Sequence, residues 1–120
     1  MKKSLNILAF ALLLTGCTYD KQEELYPSVI ACDTSGASYS GKVSSIIQAN
    51  CNSCHSSALT SGNVNLEGHA NLKVYADNGK LSGAINHRTG YTSMPQGGSK
   101  MNDCDIQVIE KWISDGSPNN

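Results

Sequence analysis

The sequence predicts an all-α fold, and three observations carry that reading. Two segments repeat apolar side chains at helical spacing: Val43, Ile46, Ile47 and Cys51 in one, Ile106, Ile109, Trp112 and Ile113 in the other. No segment sustains the alternation of a strand. The stretches between are rich in Gly, Ser, Asn and Pro, which interrupt regular structure. With 120 residues the chain makes one domain at most.

Composition narrows the function classes. The net charge of −1 gives no basic surface for nucleic acid. Aromatic residues are only 6% of the chain, so a domain this small has little apolar area to bury. A disulfide, a metal or a large cofactor is expected to help hold it. Five cysteines in so short a chain point the same way.

The first element is an export signal. Lys2 and Lys3 precede an apolar run from Leu5 to Leu14, broken only by Asn6. Ten or so residues fall short of the roughly 20 that cross a membrane. Leu14-Thr15-Gly16-Cys17 follows and resembles the bacterial lipobox. The resemblance implies that residues 1–16 are a lipoprotein signal peptide, cleaved before a lipidated Cys17. The other reading is ordinary secretion with Cys17 as a plain thiol. Loss of Lys2 and Lys3 takes the net charge from −1 to −3. The mature chain then sits outside the cytoplasm, in the bacterial cell envelope, where disulfides persist. Residues 17–30 read as anchor and tether, the polar Thr18–Ser28 stretch serving as linker.

Residues 31–120 form the domain. A first helix is expected from Ser40, as N-cap, to Asn50, its apolar face set by Val43, Ile46, Ile47 and Cys51. Ser56–Gly68 reads as a loop. Two short helical pieces follow, His69–Ala76 and Leu81–His87. Thr89–Lys100 is irregular, as Pro95, Gly97 and Gly98 require. The last helix, Asn102–Asp115, has Asn102 as cap and Asp103 and Asp105 in the turn where acids suit the dipole. Gly116 and Pro118 stop it. Loops this long are uncommon in a compact domain unless they wrap something.

Cys51-Asn52-Ser53-Cys54-His55 is C-x-x-C-H, the haem c attachment pattern. Two thiols one helical turn apart can add to the two vinyl groups of one haem, and the adjacent histidine then lies under the iron. Three other chemistries use the same residue types. Cys51, Cys54 and two histidines can bind zinc, although the spacing to His69 and His87 fits no familiar zinc pattern. The cysteines can also act as a redox dithiol, without the β-α-β setting that motif expects, or close a tight structural disulfide.

With these residues in hand, the domain resembles a small monohaem cytochrome c of the class I type. It is most similar to envelope lipoprotein cytochromes whose ends read like Ser93-Met94-Pro95, then glycines, then an acid-capped helix with Trp112-Ile113 and Gly116. The resemblance covers roughly Ala31 to Asn120. It implies a cytochrome c-like fold, with terminal helices crossing and long loops wrapped around one covalent haem c. Cys51 and Cys54 would attach the haem, His55 would be the proximal ligand and Met94 the sixth. Pro95 fixes the backbone beside that sulfur. Met94 can equally be a gap-filling core methionine. His69, His87, Met101 or an open site are the alternatives for the sixth position. Trp112 lies against the haem edge or packs between the terminal helices. Arg88, Lys100 and Lys42 are candidates to pair with haem propionates.

Once lipid takes Cys17 and haem takes Cys51 and Cys54, Cys32 and Cys104 remain. Terminal helices that cross as in the family would let these two bridge the N-terminal strap to the last helix. The function implied is a single-electron carrier in envelope respiratory electron transfer, not an enzyme. Its partners would be redox proteins, with the membrane reached through the lipid anchor. A haem-based gas binder or sensor, or a peroxidase-like protein with a displaceable sixth ligand, is the alternative.

Overall fold

The computed structural model describes residues 31–120, so the signal peptide, Cys17 and the tether lie outside the described residues. Cys32–Asn120 forms one compact unit. Its regular structure is helical. The chain runs through a π-helical turn, Tyr39–Val43, into α1, Ser44–Asn50, then α2, Asn52–His55, and a 3-10 turn, Ser61–Asn63. It continues with α3, His69–Asp77, α4, Lys80–Ile85, and α5, Asp103–Ser114. The described residues hold no strand, only an isolated bridge between His55 and Thr60. All-α is therefore the observed class.

Local chemistry shifts several boundaries from those expected. The first helix is capped by Ser38, not Ser40: Ser38 Oγ accepts the Gly41 N–H at 3.1 Å. The Val43 N–H reaches Ser38 O at 3.1 Å, the wider spacing that makes this first turn π-helical. α4 ends two residues before His87, which takes a left-handed φ of 55°. The last helix matches its sequence signals closely. Asn102 Oδ1 accepts the Asp105 N–H at 2.8 Å, satisfying one of the orphan donors of the first turn. Gly116 follows the helix with φ 90°, a conformation that costs glycine little.

The helices close around Val43, Ile47, Leu72, Ile85, Ile109 and Trp112, all buried. α5 packs on the Tyr39–Val43 turn and on α4. Its buried stripe is Ile106, Val108, Ile109 and Trp112, with Ile113 only half-buried. Trp112 is fully buried, and its indole N–H donates to Pro118 O at 2.9 Å. That bond lets an amphipathic ring sit in the core without an unpaired donor. The C-terminal residues also tie back to the first turn, where Ser40 N–H donates to Asn120 O at 2.8 Å.

Cys32 and Cys104 stand at disulfide distance, their Cα atoms 5.3 Å apart across 72 positions of chain. A bridge closing so long a loop restricts the unfolded chain strongly and is worth about 4–5 kcal/mol in the chain-entropy account. Guanidinium unfolding with and without reductant is expected to show a loss of roughly that size, and Cys104→Ser the same loss without reductant. Two reactive thiols from this pair in unfolded, unreduced protein would rule the bridge out.

Candidate functional site

α2 is a single helical turn that begins on the Cys51 carbonyl. Cys51 O accepts the N–H groups of Cys54 at 3.1 Å and His55 at 2.9 Å. That pattern carries Cys51 and Cys54 one turn apart, with His55 directly after. Both cysteines are free thiols. Cys51 packs against the core, and burial pushes its thiol up to about 11. This is opposite to the lowered value of a redox dithiol. Cys54 is exposed.

His55 is fixed by the strand of chain that returns over it. Its carbonyl accepts the Leu66 N–H at 2.8 Å. Its ring Nδ1 donates to Val64 O at 3.3 Å. A carbonyl only accepts, so Nδ1 carries a proton, and the neutral ring in this arrangement has its lone pair on Nε2, the tautomer suited to a metal. The returning chain is itself pinned: Glu67 Oε2 accepts the Ser57 N–H at 2.8 Å and the Ser57 hydroxyl at 2.5 Å. These bonds hold the Glu67 carboxyl below its usual range.

The Met94 loop is fastened at both of its peptide groups, one to α4 and one to His87 just beyond it. Met94 N–H donates to Ala84 O at 3.1 Å, and Met94 O accepts from His87 Nε2 at 3.0 Å. The Met94–Pro95 peptide is cis. α4 is held in turn on α5, because Glu110 Oε1 accepts from Ser82 Oγ at 2.6 Å and from Asn86 Nδ2 at 2.5 Å.

These pieces line an open cavity of about 1020 Å³. That is at the upper end of the roughly 300–1,000 Å³ usual for small-molecule sites. Cys51, Cys54, His55 and Met94 all line it, with Leu66, Leu81, Ala84, Ile85 and Met101 as apolar wall. The structure thus gathers two thiols, one imidazole and one thioether around a single space. Met101 also belongs to the buried core cluster, so it is packed as well as facing the cavity.

The remaining candidates lie elsewhere. His69 Nε2 donates to Ser117 O at 2.9 Å, and its ring stands edge-on to Tyr39 and Trp112. His87 is spent on Met94 O. Neither histidine lines the cavity, nor does Trp112. Lys42 pairs with Asp33, Arg88 with Glu110 and Lys100 with Asp103. Among the described residues no three His, Cys, Asp or Glu side chains assemble into a metal cluster.

Sequence reasoning missed Lys80 and Tyr91, which both line the cavity. The signal for Lys80 was weak: it stands four residues before Ala84, only at the edge of the α4 face that carries Leu81, Ala84 and Ile85, and it is itself exposed. Tyr91 had no periodicity to find it; its ring lies on Gly83, where a Cβ would collide with it.

No family model, no curated protein and no solved structure matches this chain.

Proposed function

We propose that this protein is a single-electron carrier that holds one haem c covalently. The observation that carries the reading is the cavity itself, lined at once by Cys51, Cys54, His55 and Met94. Its volume suits a group as large as a macrocycle, and its wall is largely apolar. Haem c supplies an iron that gains and loses one electron. The chain's own residues do the rest.

Cys51 and Cys54, set one turn apart by α2, would hold the haem by thioethers. His55 would give Nε2 to its iron, the ring being held in orientation by Val64 O. Met94 would give its sulfur, the backbone being held by Ala84 and His87. With both donors engaged, the group would supply one-electron chemistry without an open position for a substrate, and a thioether donor would raise its potential. Cys54 is exposed, so the attached edge reaches the surface, where a redox partner can dock through a small, transient contact.

Location follows from the same proposal. Thioether haem belongs outside the cytoplasm, in agreement with the apolar run and Leu14-Thr15-Gly16-Cys17. The lipid on Cys17 would tether the domain to a bacterial envelope membrane through the 17–30 linker. No helix of the described residues is long and apolar enough to cross a membrane.

An absorption spectrum of the purified protein, oxidised and reduced, tests the function. A six-coordinate low-spin haem c spectrum is expected, with the ferrous form inert to carbon monoxide. Rapid carbon monoxide binding would replace the carrier by a gas binder or a peroxidase-like protein. A colourless protein would overturn both.

A further inference from the structure

The described residues contain six Lys and Arg side chains, and five of them stand within 3.8 Å of a carboxylate. The pairs are Lys42 with Asp33, Lys73 with Asp77, Arg88 with Glu110, Lys100 with Asp103 and Lys111 with Asp115. Lys80 alone among them has no acidic partner. It is also the one Lys, Arg, Asp or Glu in the cavity wall. Among the described residues, the cation without an acidic partner is also the cation in the cavity wall.

Its surroundings hold it there. Lys80 N–H donates to Asn78 Oδ1 at 3.0 Å, and Gly79, at φ 77°, turns the chain into α4. Tyr91 shares the wall. With its ring on Gly83, its hydroxyl oxygen reaches 3.8 Å from the place a Gly79 Cβ would occupy. The Tyr91 hydroxyl therefore lies beside the Gly79 backbone, one residue before Lys80, and both side chains belong to the cavity wall. The rest of the wall is apolar or carries neutral polar groups and the His55 imidazole. A lone cation and a phenolic donor in the wall of a cavity that is mostly apolar and holds no other charged Lys, Arg, Asp or Glu are suited to an anion carried by a mostly apolar occupant.

We propose that Lys80, assisted by Tyr91, is the carboxylate-binding end of the site. Lys80 pairs with an ionised carboxylate of the group that fills the cavity, and the Tyr91 hydroxyl donates to the same carboxylate. The proposal rests on the haem reading, in which the propionates are the anionic groups of the occupant. It replaces Lys42, Arg88 and Lys100, whose charges are already paired with protein carboxylates. A positive charge held at this end favours the ferrous over the ferric state, because the extra electron lowers the positive charge it faces.

The test is potentiometric titration of the full holoprotein, with Lys100→Gln as the control for loss of a surface charge. At fixed poise, Lys80→Gln is expected to lower the ferrous-to-ferric ratio roughly three- to tenfold. That change corresponds to a fall of about 30–60 mV. Lys80→Glu should move the ratio further in the same direction, and Lys80→Arg should stay near wild type. Tyr91→Phe should give a smaller fall of the same sign. A Lys80→Gln shift no larger than that of Lys100→Gln overturns the proposal while leaving the carrier reading intact. So does an unchanged potential with altered salt dependence of electron transfer, which makes Lys80 a steering charge for an acidic partner protein. Wild-type protein without covalent haem removes the premise and the proposal together.

Discussion

Acid denaturation followed by organic extraction is expected to leave the haem on the polypeptide. With Cys51→Ala/Cys54→Ala the same treatment should release whatever haem remains. This is the largest effect anticipated for any change in the chain, because it is a loss of the prosthetic group and not a weakening of one contact. The reasoning runs from α2. Its single turn begins on the Cys51 carbonyl and carries Cys54 and His55 to the same cavity, so both thiols meet one occupant. The wall's Leu66, Leu81, Ile85 and Met101 are packed in the protein core as well as facing the space, while Val64, Tyr75 and Tyr91 keep exposed area that an occupant would cover. The double variant should therefore lose stability as well as colour, by an amount that scales with the apolar area the occupant covers, at about 25 cal/mol per Å². Thermal unfolding followed by circular dichroism measures that part. Each single variant should keep one thioether and an intermediate melting temperature. Haem that extracts freely from wild-type protein would refute covalent attachment outright.

Much of this arrangement was legible in the sequence because it rests on short-range patterns. Ile106, Ile109 and Trp112 repeat at helical spacing, and Asn102 caps the helix they define, so α5 follows from local chemistry. The C-x-x-C-H spacing likewise encodes a single turn, which is what α2 is. What was not legible depends on residues brought together from far apart. Ser38 is the cap because the chain is still extended there and its Oγ accepts the Gly41 N–H, whereas Ser40 already lies inside the first turn. His87 could be read as a ligand, a surface group or a hydrogen-bond donor; only the folded loop shows that it donates to Met94 O. Lys80 was overlooked for a related reason. A single cation in a polar stretch reads as solvated surface, and its meaning comes from the five other cations among the described residues having carboxylate partners.

Replacing Met94 by alanine is expected to lower the reduction potential, admit carbon monoxide to the ferrous protein and abolish the weak long-wavelength sulfur-to-iron band of the oxidised form. Axial ligands tune haem potentials across roughly 0.8 V, so exchange of a thioether for water or nothing is a large perturbation. The structure gives a reason to expect this from Met94 in particular. Its loop has no regular structure, yet both its peptide groups are tied to the α4 region, by Ala84 O and by His87 Nε2. Backbone fixed on both sides of one residue presents that side chain in a defined place, which is what a ligand requires and a gap-filling methionine does not. Met101 is the competitor, since it too lines the cavity. It differs in being buried in the core cluster with Ile106 and Ile109, where a methionine serves packing. Met101→Leu conserves volume, so it should cost less than about 1.5 kcal/mol and leave the sulfur band and the potential near wild type. Met94→His should keep six-coordination, refuse carbon monoxide and still lower the potential, because imidazole favours the ferric state relative to thioether. The assignment fails if Met94→Ala keeps the band while Met101→Leu loses it. It fails more deeply if neither variant changes the spectrum, for then no methionine is bound and the sixth position belongs to another group or to solvent.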